Sequence, residues 1–150
     1  MVAPVTPEAY SAAVAKVNPL NPKYLKHDIT GDHVAETFCN VFVSDLADEL
    51  GVILPRKKAN EQIVWLDAAD GGRGLGWDRC DAVEAKFAAN RGRFTLATFL
   101  NPAGHGHIAA VVPFNSAAVW IAQAGFRNYL AVQLAAGFGS YPVRFFTFSR

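Results

Sequence analysis

The stretch Phe94-Thr95-Leu96-Ala97-Thr98-Phe99-Leu100-Asn101-Pro102-Ala103-Gly104-His105-Gly106-His107-Ile108-Ala109-Ala110-Val111-Val112 decides the fold class. Its first six residues alternate and are rich in β-formers, which predicts a strand. Asn101-Pro102-Ala103-Gly104 predicts a turn. His107 to Val112 is a short apolar run, and predicts a second strand that opens on a histidine. Two strands joined by so tight a turn run antiparallel.

Upstream the periodicity is helical. Thr6 can cap, Pro7 suits the first helical position and Glu8 suits the positive end of the dipole, so a helix is expected to about Val17. Asn18-Pro19-Leu20-Asn21-Pro22 breaks it. Lys23 to Asp32 is polar and irregular. Phe38, Phe42, Leu46 and Leu50 recur every four residues and give a buried stripe to a second helix, expected from Ala35 to Leu50 and stopped by Gly51. A third helix is expected after Asn60, with Ile63, Val64 and Leu66 apolar. Asp70 to Gly76 reads as a flexible loop, and Asp78 to Asn90 as a fourth helix. Downstream, Val119 to Gln123 is the third strand, Asn128 to Ala136 a last helix and Val143 to Phe148 the final strand. Helices first and antiparallel strands last give an α+β fold, N-terminal helices packed on a C-terminal antiparallel sheet.

The totals narrow the class. The chain has 150 residues, half of them apolar and fewer than a fifth charged, which suits one domain with a real core. A net charge of +1 gives no nucleic-acid footprint. No apolar run approaches membrane-spanning length, so no membrane insertion is expected. Residues 1–10 hold neither a basic n-region nor an apolar h-region, so the expectation is a chain made in the cytoplasm without a signal peptide. Two cysteines, Cys39 and Cys80, are too few for a disulfide scaffold. Free thiols are the simpler assumption, and a bridge between them would disable thiol chemistry.

Cys39 lies near the start of the second helix, where backbone N–H groups favour a thiolate. Alone it is better explained as a small buried hydrophobe. His107, with Gly106 before it, can serve as its general base or stand at a strand edge facing water. His105 sits two residues away, on the same face if the strand extends that far, but its glycine-flanked turn favours a loop. A third group normally fixes the imidazole tautomer. Gln123 on the next strand is the first candidate and Asn128 the second. Cys80 is flanked by Asp78 and Asp81, which disfavour its thiolate. Metal-assisted hydrolysis is the alternative chemistry: His105 and His107, with His27, Asp28, Asp32 and His33, are zinc-ligand types but lack a ligating motif. Asp28 and Asp32 suit turns and caps better. Trp65, Trp77 and Trp120 suit a sugar groove or, more simply, the core.

Three segments in order carry a family resemblance. Cys39-Asn40-Val41-Phe42-Val43-Ser44-Asp45 resembles the Cys-Asn-x-Phe-Val-x-Asp block of papain-like cell-wall hydrolases of the CHAP and NlpC/P60 type. Gly106-His107-Ile108-Ala109-Ala110-Val111 resembles their histidine strand, and Ile121-Ala122-Gln123-Ala124-Gly125 the strand with the third polar residue. The ending, Gly137-Phe138-Gly139 and then Val143 to Phe146, is similar to a branch found in phage lysins and bacterial cell-wall effectors. The resemblance covers residues 24–150, with 1–23 as a helical lead-in to a single catalytic domain. Phe38 departs from it, since many relatives carry tryptophan there.

The resemblance implies a cysteine peptidase or amidase acting on peptidoglycan, either on stem peptides or at the N-acetylmuramoyl-L-alanine link. Cys39 would be the nucleophile, His107 the base and Gln123 the orienting residue. Tyr24 and Asn40 would line the substrate or oxyanion site, with His27 as an alternative to Tyr24. It implies no cofactor and no metal, a monomer, and action on the wall after release or delivery by another system, with an immunity or delivery protein as partner. A non-catalytic wall-binding member of the same fold is the other reading.

Overall fold

A computed structural model describes residues 5–33 and 37–149. Five α-helices and a six-stranded antiparallel sheet make up an α+β fold among these residues. The helices are α1 (Pro7–Val17), α2 (Cys39–Leu50), α3 (Ala59–Asp67), α4 (Ala82–Asn90) and α5 (Leu134–Phe138). The strands are β1 (Trp77–Cys80), β2 (Thr95–Phe99), β3 (His107–Val112), β4 (Trp120–Gln123), β5 (Tyr129–Gln133) and β6 (Arg144–Phe148), in the order β1-β6-β2-β3-β4-β5.

The strand–turn–strand unit sits at the centre. β2 and β3 pair antiparallel, with Phe99 opposite His107 and Thr95 opposite Val111. All five residues of β3 after His107 are buried, as an unbroken apolar run requires. α1 is capped as expected, Thr6 Oγ1 accepting from the Ala9 N–H. It is tied to the sheet by Tyr10, whose hydroxyl donates to the Val111 carbonyl at 2.6 Å. α2 lays Phe42, Val43, Leu46, Ala47 and Leu50 into the core, and Gly51 ends it at a φ of 70°. Burial of side chains such as Phe42 and Leu46 stabilises by about 1.5–3 kcal/mol each.

The structure corrects the sequence in four places. The second helix begins at Cys39, with half-buried Phe38 as its N-cap. Ala35, where it was expected to start, lies outside the described residues. Asp78 to Cys80 belong not to a helix but to β1, which pairs with β6 from Trp77↔Phe148 to Cys80↔Phe145. α4 starts only after Asp81, which forms a capping box with Glu84. Asn128 to Ala136 divides in the same way: Tyr129 to Gln133 form the edge strand β5, and the helix begins at Leu134. The glycine-rich loop holds a 3-10 turn at Gly72–Leu75.

Trp77 does not line a groove. Trp77 is fully buried and donates to the Ile53 carbonyl. Trp120 stands opposite Val112, at the end of β3 away from His107, and stacks on Phe114. Among the described residues no helix is long and apolar enough to cross a membrane.

Candidate active site

His107 opens β3 and Gln123 closes β4, so antiparallel pairing brings both to one end of the sheet. His107 Nε2 lies 2.8 Å from Gln123 Oε1. The other end of the amide sets the polarity of that bond. Gln123 Nε2 donates to the Arg127 carbonyl at 2.8 Å, which only an N–H can do. Oε1 therefore faces the ring as an acceptor, Nε2 of His107 carries the proton, and Nδ1 keeps its lone pair as the basic atom.

The surroundings hold this pair closely. The Phe138 ring packs at 4.7 Å on the imidazole. A Cβ on Gly125 would stand 3.0 Å from His107 Cε1, and one on Gly137 only 2.1 Å from Gln123 Oε1. Glycine at 137 is what allows α5 to lie on the amide.

Cys39 is the first residue of α2 and is 4% exposed. The backbone N–H of Ile108, the residue after His107, points at its sulfur, as do those of Asn40 and Cys39 itself. The thiol thus faces the backbone at the start of β3. No hydrogen bond joins it to the His107 ring among the described residues. Burial pushes the thiol pKa up despite those three N–H groups. Burial likewise pushes the His107 pKa down, the Gln123 bond opposing it. Near neutral pH the resting site is therefore a neutral thiol and a neutral imidazole.

Both cysteines are free. Cys80 lies on β1 rather than at a helix start, and its pKa is pushed up to about 11 by burial and then by Glu84, Asp81 and Asp78. His105 is exposed in the turn before β3. The described residues contain no group of three His, Cys, Asp or Glu side chains placed to hold a metal, so the ligand types do not converge. Asp28 is a turn residue, its carboxylate accepting from the N–H groups of Thr30, Gly31 and His33.

Other candidates are placed differently from expectation. Tyr24 is 1% exposed, its ring edge-on to Phe42 and its hydroxyl donating to Asp45. It is a core residue rather than part of a substrate surface. Asn40 donates from Nδ2 to the Lys57 carbonyl at 3.0 Å, anchoring α2 to the basic loop. Asn128 is not the partner of the imidazole. Its Oδ1 accepts from the Gly125 N–H, and its Nδ2 donates to the carbonyls of Pro19 and Tyr24. It straps the β4–β5 turn to the segment before α2. His27 stacks at 4.7 Å on Phe38, which precedes Cys39, and its Nδ1 is engaged by the Leu25 carbonyl.

Two further features carry no signal in the sequence. Lys26 sits over the Phe126 ring at 4.1 Å, bridging the pre-α2 loop and the β4–β5 turn. Asp45 gathers the Tyr24 hydroxyl, Lys23 at 3.1 Å and Arg56 at 2.7 Å. Burial would raise the Asp45 pKa, but those three partners together hold it below the usual value. Its folded pKa being depressed, Asp45 stabilises the fold above the ordinary carboxylate range, and that stabilisation is lost as pH falls through the folded value. Asp45→Asn should cost about 1–3 kcal/mol at pH 7 and remove part of the acid-induced loss of stability below about pH 4. Urea titrations at pH 7 and pH 3 check this, and an unchanged difference between the two would refute it.

Comparison with protein-family models finds no match to the chain, and comparison with curated protein sequences finds no significant one.

Proposed function

We propose that the protein is a cysteine amide hydrolase of papain-like architecture that cuts peptide or amide bonds of peptidoglycan. The observation that supports this most is the 2.8 Å His107–Gln123 bond at the strand end whose next backbone N–H faces Cys39. Cys39 Sγ attacks the scissile carbonyl as its proton passes to His107 Nδ1. The oxyanion is held by N–H groups at the α2 N-terminus. The imidazolium then protonates the leaving amine, and the C–N bond breaks to leave a thioester. Water, deprotonated by His107, releases the acid and restores the thiol. Gln123 keeps Nε2 protonated throughout, so that Nδ1 is the atom that turns over the proton. The wall substrate rests on the family resemblance of the three segments.

Incubation with purified sacculi tests the proposal directly: new amino groups should appear, and mass spectrometry of the fragments names the bond. The burial of the thiol favours one competing reading, a wall-binding protein without turnover. Sacculus binding with no released fragment would establish that reading instead.

The resting charge state makes a separate prediction. The Cys39 pKa is raised, so less thiolate is present at any given pH than in a free cysteine, and alkylation by iodoacetamide should still be accelerating above about pH 8.5. The His107 pKa is lowered, so His107 stays a base until pH falls well below about 6.5, and the acid limb of kcat/KM should lie there. A flat alkylation rate across neutral pH would mean a preformed thiolate–imidazolium pair and contradict the neutral resting site.

A further inference from the structure

α3 carries two amide side chains that grip the two halves of the candidate site. Asn60, in its first turn, donates from Nδ2 to the carbonyls of Asn101 and Gly104, both at 2.8 Å. Its Oδ1 accepts from the Asn101 N–H at 3.0 Å. These partners all belong to the turn that leads into His107. The fit leaves no slack: a Cβ on Gly106 would stand 2.2 Å from Asn60 Oδ1. Within the turn, Asn101 Nδ2 donates to the His105 carbonyl and its Oδ1 accepts from the Ala103 N–H. Asn60 therefore holds a braced unit rather than a loose loop.

Gln62 reaches the other way. It is fully buried, and the two hydrogens of its Nε2 are shared among three acceptors, Ser44 Oγ at 2.9 Å, the Pro55 carbonyl at 3.1 Å and, as the longest contact, the Asn40 carbonyl at 3.3 Å. Ser44 and Asn40 are on α2, and Asn40 follows Cys39. Residues two apart on a helix are about 200° of rotation apart and so point to nearly opposite sides, and one helix can hold a different neighbour with each. Gln62 Oε1 is buried with no partner among the described residues. An apolar residue would avoid that cost but would let go of α2. Ile63 and Leu66, both buried, seat α3 itself in the core.

We infer that Asn60 and Gln62 are positioning residues, and that α3 is the rigid spacer setting the separation of Cys39 from the His107 ring. The inference rests on reading Cys39 and His107 as a working pair. It differs from a general packing role because it requires the two residues to act through one quantity, the thiol–imidazole separation. Once either side chain is lost that separation is no longer defined, so losing both should add little.

The test uses the full chain with Asn60→Ala, Gln62→Met and the double variant. Two readouts need no turnover: the ¹⁵N shifts and titration of the His107 ring, and the rate of Cys39 alkylation. A third is the hydrolysis of sacculi. Each single variant should move both the His107 titration and the alkylation rate. Each should also lower kcat about 10²-fold, the effect of a misplacement near 1 Å, with KM little changed. The double variant should be little worse than either single one. If Asn60→Ala does not fold, Asn60→Asp, which keeps the acceptor for the Asn101 N–H, replaces it. A lower melting temperature with unmoved His107 titration and alkylation overturns the inference, and so do losses that multiply in the double variant. If the variants move both the His107 titration and the alkylation rate but the wild type releases nothing from sacculi, the positioning role stands and the hydrolase reading fails.

Discussion

Replacing Cys39 by alanine should lower release of amino groups from purified sacculi by at least about 10³-fold, the scale seen when a nucleophile of a catalytic set is removed. The loss should come with little damage to the fold. Cys39 is buried at the start of α2, and trimming one sulfur atom from such a site costs on the order of 1 kcal/mol. Cys39→Ser should be about as inactive, because a hydroxyl beside a neutral imidazole is a weaker nucleophile than a thiol with the same base. Cys80→Ala is the internal control. Cys80 sits among three carboxylates with its pKa near 11, so its removal should leave turnover unchanged. Retention of full activity by Cys39→Ala, with a melting temperature showing an intact fold, would sink the thiol mechanism.

What could be read in the sequence was whatever a local pattern carries. β3 was legible because His107 to Val112 is an apolar run bounded by a Pro-Gly turn, and such a run has few other places to go. α1 was legible from Thr6, Pro7 and Glu8 because capping is decided within four residues. Gln123 was reachable as the ring's partner once β4 was taken to pair with β3. β1 and β5 were not legible. Trp77 to Cys80 and Tyr129 to Gln133 adjoin alanine-rich segments that do form helices, and only pairing with β6 and β4 makes them strands. The environment of Tyr24 was not legible for a related reason: the family resemblance implies a substrate contact for it, whereas contacts with Asp45 and Phe42 draw it into the core. The asparagines and glutamines of the site show the same limit. Apart from the Gly125 N–H that Asn128 takes three residues away, Asn60, Gln62 and Asn128 act on backbone atoms between 7 and 109 positions away, and no spacing rule singles them out. A pattern can nominate Cys39 and His107, but what holds them in place is set by contacts that exist only after folding.

The second large effect should come from a residue with no chemistry of its own. In Gly137→Ala the new methyl would stand 2.1 Å from Gln123 Oε1 and 2.7 Å from Ile121 Cδ1, both far closer than contact distance. Each is the end of a side chain, so the side chains rather than the backbone must yield. Gln123 cannot yield without leaving His107, since its other amide atom is tied to the Arg127 carbonyl. The imidazole then loses the acceptor that fixes Nε2 as the protonated nitrogen, and part of the population places its proton on Nδ1, where it cannot act as base. Gly137→Ala should therefore reproduce Gln123→Leu, with kcat down about 10²-fold or more in both. Substrate binding should be nearly unchanged, because neither substitution touches the nucleophile. The tautomer makes the comparison decisive. ¹⁵N spectra of the His107 ring should show a single protonated Nε2 in the wild type and a mixture in both variants. If Gly137→Ala keeps full activity and the wild-type ring spectrum, then the Gln123–His107 bond does not set the tautomer, and the orienting role assigned to Gln123 is wrong.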